Sequence, residues 1–259
     1  MAFNDRLRIS WAEYKGGLKA YLAITALFII IPDLLRYLVA IPLGLEYYAS
    51  GADIFKLGST IFEPKFLIPN MTMLILNFVS RTFAVASIIY FCVYRRKSFI
   101  EALYGGRRYL LKCIWLSLVL GFFVSGLLFL LVIPGIIFSI YWSFSYFVLI
   151  GTNKGVIGSL KESREIIKGN WWKVFGYLIC FALFVSILAL PFKIIGDVVI
   201  KTFIGLSTPI TKDILSKIFE WIPQLITIPL IVLFLKNLFL ELRREKLMIY
   251  QSIPTKNWH

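Results

Sequence analysis

The chain has 259 residues, 59% of them hydrophobic and only 16% charged, with a mean hydropathy of +0.81. Soluble domains run at about 45–50% apolar and about 25% charged residues, and no aqueous core of this size holds the excess found here. The composition excludes a soluble enzyme, a nucleic-acid binder and a disordered tail and points to an integral membrane protein, in which the formal net charge of +14 reflects basic loops kept on the cytoplasmic side.

Residues 1–17 carry charges on both sides of Trp11 and no small-residue cleavage site, so they do not read as a cleaved signal peptide. Phe3, Leu7, Ser10, Tyr14 and Leu18 fall on one helical face, with Asp5, Arg6 and Glu13 elsewhere, the pattern of an amphipathic helix lying in the interface. Six apolar spans follow, at about 20–43, 70–93, 112–133, 135–151, 172–192 and 222–240. In the first, Pro32 is expected to kink the helix beside Asp33 and Arg36. The third and fourth flank Ile133-Pro134-Gly135, read as a tight turn that closes a hairpin. Ser117, Gly121 and Ser125, and likewise Gly135, Ser139 and Ser143, recur every four residues and would let helices approach closely, with Ser125 facing Ser143.

Twenty Lys and Arg residues fall in the N-terminal segment, the second and fourth connections and the C-terminal end, against six in the other connections. That asymmetry places both termini in the cytoplasm. The expected fold is therefore all-α: a polytopic membrane protein with six transmembrane helices, amphipathic interfacial helices and both termini cytoplasmic, in a prokaryotic cytoplasmic membrane. Cys92, Cys113 and Cys180 are isolated and the one histidine is His259, so neither a disulfide framework nor a metal site is expected. No GxSxG, HExxH or phosphate-binding glycine loop occurs, and no cofactor or enzyme activity is implied.

Two cytoplasmic connections match at a spacing of 57 residues: Ile100 with Ile157, Leu103 with Leu160, Arg107 with Arg164, Leu110 with Ile167, Trp115 with Trp172. In the second copy Val156, Leu160, Ser163 and Ile167 share a helical face opposite Lys161, Glu162, Glu165 and Lys168. Residues 98–110 and 155–168 are thus expected as helices along the membrane plane, with Ser98 and Glu101, and Ser159 and Glu162, at capping-box spacing. Within a single membrane domain, 1–259, the chain reads as units 1–94, 95–151 and 152–245, each an interfacial helix plus a hairpin, with a tail at 246–259.

Ile133-Pro134-Gly135, the aromatic stretch 141–147, the run from Ser159 and Leu160 through Ser163 to Lys168, Gly169, Asn170, Trp171, Trp172 and Lys173, and the ending around Glu241 and Arg243 carry a resemblance. They resemble six-span proteins that include the membrane domain of glycerophosphoryl diester phosphodiesterases and the YciC-like and DUF975-like families. The resemblance covers residues 95–245 and implies a membrane part tied to envelope or lipid upkeep. In the phosphodiesterase fusions catalysis belongs to a separate soluble barrel, for which this chain has no room, so that activity does not carry over.

Arg81 lies near the middle of span two, where an ionisable residue is costly and faces protein or water. It matches Asp33 in depth on the neighbouring antiparallel span, so the two are expected to pair, with Arg36 one turn away as a competitor. Arg107, Arg164, Lys168, Asn170, Trp171 and Trp172 are candidates for interface and headgroup contacts, with anionic lipids at the cytoplasmic face as partners. Nucleic acid is not expected, and a protein partner or homo-oligomer stays open. The leading expectation is a non-enzymatic, lipid-associated organising component; the alternative is a transporter or lipid translocator using Asp33, Arg36, Asn77 and Arg81. A water-filled cavity reaching Arg81 supports transport, and a closed bundle supports the organising role.

Overall fold

The computed structural model describes residues 2–40, 64–95, 98–202 and 209–252. Residues 41–43 of the first expected span, the Arg36 side chain and the tail beyond 252 lie outside the described residues. All regular structure described is helical: α1 (Phe3–Gly16), α2 (Leu18–Thr25), a π-helical turn (Ala26–Ile30), α3 (Ile31–Ala40), α4 (Pro64–Val93), α5 (Phe99–Leu130), α6 (Val132–Tyr141), α7 (Ser145–Thr152), α8 (Val156–Ile167), α9 (Trp171–Thr202) and α10 (Pro209–Ser252). Six stretches are long and apolar enough to cross a membrane: Leu18–Leu35, Met71–Val93, Phe99–Leu130, Val132–Thr152, Trp171–Thr202 and Leu215–Met248. The chain is a multi-pass membrane protein. It divides into two compact units, one of Met1–Leu18, Val85–Phe181 and Leu230–His259, the other of Lys19–Ala84 and Ala182–Pro229.

In the first unit α1 is bound by charge as well as by aromatic packing, with the Phe3 ring 5.5 Å from that of Phe234 and 6.4 Å from that of Tyr177. Arg6, Ser10 and Tyr14, at helical spacing, are the buried residues of this helix. Arg6, expected on the outer face, is 0% exposed. Its Nη2 donates to Glu241 Oε2 at 2.7 Å, and its guanidinium lies 4.1 Å from the Tyr177 ring centroid. Further along α1, Lys236 Nζ donates to both Glu13 oxygens at 2.7 Å, and Asn237 Nδ2 donates to Ser10 Oγ at 3.0 Å and Glu13 Oε2 at 3.1 Å. Lys173 Nζ completes the cluster with Glu241 at 3.3 Å and Glu245 at 3.1 Å. A buried charge persists only when paired and hydrogen-bonded, so α1 belongs to the core of this unit. Burial also pushes the Tyr14 phenol above its ordinary range.

Residues 98–110 do not form a separate interfacial helix. They are the first turns of α5, whose 32 residues run about 48 Å at 1.5 Å each. The cause lies in one position. The second copy breaks at Gly169, held at φ +90, which ends α8 and lets α9 begin at Trp171; the matching residue in the first copy is Lys112. A lysine resists that conformation, so the helix runs on. Neither capping box forms, since the Ser98 side chain makes no cap bond and Ser159 lies inside α8, bonded to Gly155 O. The apolar side of α8 packs on protein, burying Ser159, Ser163, Ile166 and Ile167. Glu162, expected on the solvent side, pairs with Lys154 at 2.6 Å and Arg243 at 3.8 Å.

Close helix approach occurs at the expected Gly135 but not at Gly121, and at two glycines that were not expected. A Cβ on Gly121 would meet nothing within 4 Å, and Ser125 is exposed. By contrast, Cβ atoms on Gly105 and Gly106 would fall 2.0 Å from the Tyr90 ring and the Ser87 hydroxyl, pinning α5 against α4. Gly135 closes the α5–α6 hairpin, 2.6 Å from Leu128 by the same measure. Ile133, Pro134 and Gly135 lie in the first turn of α6 rather than in the turn before it, because a helix start leaves its N–H groups unpaired and so tolerates proline.

Span four is broken between α6 and α7. Ser163 of α8 bridges the gap: its hydroxyl donates to Tyr141 O at 2.7 Å and accepts from Phe144 N–H at 3.2 Å. In the second unit Pro32 removes the N–H that would serve the Phe28 carbonyl four residues back. Ser80 Oγ of α4 donates to that carbonyl at 2.6 Å, and Phe28 meets Phe83 edge-on at 4.7 Å. This aligns α4 with the π-helical turn, just ahead of Asp33 on α3 and beside Arg81 on α4. Such side-chain repair is what irregular backbone needs inside a membrane.

Candidate functional site

The second unit holds the candidate site. Asn77 and Arg81 are one turn apart on α4, so their side chains share a face. Arg81 Nη2 donates to Asp33 Oδ2 at 2.7 Å and its Nε donates to Asn77 Oδ1 at 2.6 Å, while Asn77 Nδ2 donates to Asp33 Oδ1. Both Asp33 oxygens and two guanidinium nitrogens are thereby engaged. Arg81 stands ten residues, about 15 Å, inside the Met71 end of its span and twelve, about 18 Å, from the Val93 end.

The pair is not fully enclosed by protein: Arg81 is 44% exposed and Asp33 18%. They open into a cleft of about 440 Å³, within the usual range for ligand sites. The far wall comes from α10, where Lys217, Glu220, Trp221 and Gln224 repeat at the spacing of one helical face. Lys217 Nζ pairs with Glu220 Oε2 at 2.5 Å. Lys217 lies two residues inside its span, so charged groups run from the span's end inward to Arg81. Among the described residues the cleft is lined by two cations, two carboxylates and two carboxamides, so these charges balance. Gln224 Oε1 is buried with no hydrogen-bond partner, which costs about 1–3 kcal/mol unless a ligand or water supplies a donor.

A second cleft, of about 420 Å³, uses the adjacent face of α10 against α9. Its surface is mostly apolar, from Val185, Ala189, Ile200, Phe219 and Pro223, but Lys193 and Asp197 of α9 also line it, and it shares Glu220 and Gln224 with the first cleft. Pro223 provides no N–H to the Phe219 carbonyl, freeing an acceptor on the turn that carries Glu220.

The structure thus brings Asp33 and Arg81 together, with Asn77 between them; the Arg36 side chain is outside the described residues. The other candidates do not gather into a site. Arg107, Arg164 and Lys168 are exposed, and no hydrogen bond or ion pair links the three among the described residues. Trp172 points outward at 75% exposure. Trp171 turns in: it stacks on Phe175 at 5.1 Å and donates from Nε1 to Ile137 O at 3.4 Å. Asn170 starts α9 through its carbonyl, which accepts from Val174 N–H at 3.0 Å. Ser117 meets Tyr146 at 2.5 Å, and Ser139 bonds Ile136 O in its own helix. Ser143 Oγ is buried and has no hydrogen-bond partner, so it makes no bond to Ser125. Sequence reasoning missed Lys217, Glu220 and Trp221 as site residues because the expected last span starts at 222, and missed Gln224, inside that span, because it was not read together with them; their shared helical face was the available signal. No three His, Cys, Asp or Glu side chains gather to hold a metal among the described residues.

No protein-family model, curated protein or solved structure matches the chain.

Proposed function

We propose that this multi-pass membrane protein is a lipid translocator whose headgroup site is the Asp33–Asn77–Arg81 cleft. One observation carries the reading: an ion pair near the middle of a membrane span opens into a charged cleft of about 440 Å³ instead of being packed dry. Intramembrane ionisable residues facing a water-filled cavity mark substrate pathways. A lipid fits better than a free solute because Met73, Leu74 and Phe78 share the cleft wall with the charges, and Leu74 is 61% exposed. A headgroup then enters while its chains stay in hydrocarbon. Both termini and the 94–111 and 152–171 connections are cytoplasmic in this proposal, by the Lys and Arg asymmetry. The kinship proposed is with the six-span membrane domains named above, in a non-enzymatic capacity.

Proteoliposomes carrying a fluorescent phospholipid test the reading by dithionite quenching. Wild-type vesicles should lose fluorescence beyond the outer-leaflet share. The double variant Asp33→Asn with Arg81→Gln, shown to be folded, should fall to the protein-free level. Wild-type vesicles that match protein-free ones would overturn the proposal. They would favour a second reading, a non-enzymatic organising component, which the ion-paired seat of α1 on α10 supports as a fixed surface for partners.

A further inference from the structure

The two clefts meet at Glu220 and Gln224, and their linings differ in kind. On one side stand Asp33, Arg81 and Lys217; on the other, Val185, Ala189, Ile200 and Phe219 make a mostly apolar wall in which Lys193 and Asp197 of α9 are the charged members. We infer that they form the two halves of one site for a zwitterionic phospholipid with a primary-amine headgroup, the head beside Arg81 and one acyl chain between α9 and α10. This rests on the first cleft being a ligand site, as proposed above.

The headgroup chemistry follows from the charges. Arg81 and Lys217 suit a phosphate, Arg81 through a planar fork of donors and Lys217 as a point charge. Asp33 and Glu220 suit an ammonium. Equal numbers of cations and carboxylates favour a zwitterion over an anionic lipid, whose net charge would leave both carboxylates opposed. Gln224 Oε1 separates the amines: it has no partner and is closed off from the cleft as it stands, so it is satisfied when the carboxamide turns toward a donor, which a primary ammonium has and a quaternary one lacks. The Phe219 carbonyl, freed by Pro223, is a further acceptor on the same turn. The apolar cleft lies within two membrane-spanning stretches, where an acyl chain is the available apolar occupant. Gly196 keeps it narrow, since a Cβ there would already meet Phe219 at 3.0 Å.

Native mass spectrometry of the purified full chain tests this against equal amounts of phosphatidylethanolamine, phosphatidylcholine and phosphatidylglycerol. Phosphatidylethanolamine should be retained about tenfold over either competitor, the step expected from one charge-assisted hydrogen bond. Gln224→Leu should abolish the preference over phosphatidylcholine without lowering Tm, because it removes an unsatisfied group. A purely structural Gln224 would leave the preference intact. Ala189→Phe should fill the apolar cleft and reduce retention of all three lipids. Equal retention of the three lipids, or retention unaffected by Ala189→Phe, overturns the inference. If soluble glycerophosphoethanolamine binds wild type and Ala189→Phe alike while no lipid is retained, the head site takes a free solute and the lipid assignment fails. Translocation with equal retention of all three lipids would sink only this inference; selective retention without translocation would sink only the translocator reading.

Discussion

At the scale of single residues, two arginines show how one side chain takes opposite roles. Arg6 is fully buried, held by Glu241 and the Tyr177 ring, and its Nε and Nη1 have no hydrogen-bond partner. Glu241→Gln would leave that charge buried without its counter-ion, a loss on the order of 3–5 kcal/mol. A fall in Tm well beyond that of a surface change such as Glu165→Gln should report it; equal falls would mean the cluster is loosely solvated. Arg81 is only partly enclosed by protein, so Asp33→Asn and Arg81→Gln should each cost less, about 1–3 kcal/mol. The double variant should recover much of either loss, and purely additive losses would show that the two groups do not interact. The Asp33–Arg81 pair was legible in the sequence because depth is countable from helix rise. The Arg6 pair was not, because its partner lies 235 residues away and α1 alone resembles a helix seated on lipid.

Among the elements, the breaks were harder to foresee than the helices. Hydropathy locates apolar stretches but says nothing of which side chain repairs an interrupted backbone. Ser163 and Ser80 do this for span four and span one. Ser163→Ala would strand the Tyr141 carbonyl and the Phe144 N–H, each worth about 1–3 kcal/mol when buried. Ser139→Ala, which removes only a bond within its own helix, should lower Tm far less; parity between the two would refute the bridging role. Small residues every four positions in α5 suggested packing at Gly121, whereas the tight contacts lie at Gly105 and Gly106. The pattern marks where helices are able to approach; the neighbours Tyr90 and Ser87 decide where they do. Gly106→Val should accordingly destabilise by about 1–3 kcal/mol through overpacking, and Gly121→Val should be near neutral.

For the whole molecule, the number of spans follows from composition, and the basic asymmetry orients them in the proposal. Function depends on something less visible: whether charges inside the spans face water or each other. Water access along α4 measures this most directly. In a cysteine-free background, single cysteines replace Leu74, which lines the charged cleft, and Ile75, which is 59% exposed but does not. A charged, impermeant thiol reagent reacts only where water reaches. In reconstituted vesicles the cysteine at 74 should react and the one at 75 should be silent, because it faces hydrocarbon. If neither reacts, the cleft is dry and the Asp33–Arg81 pair is no more than a brace between two helices.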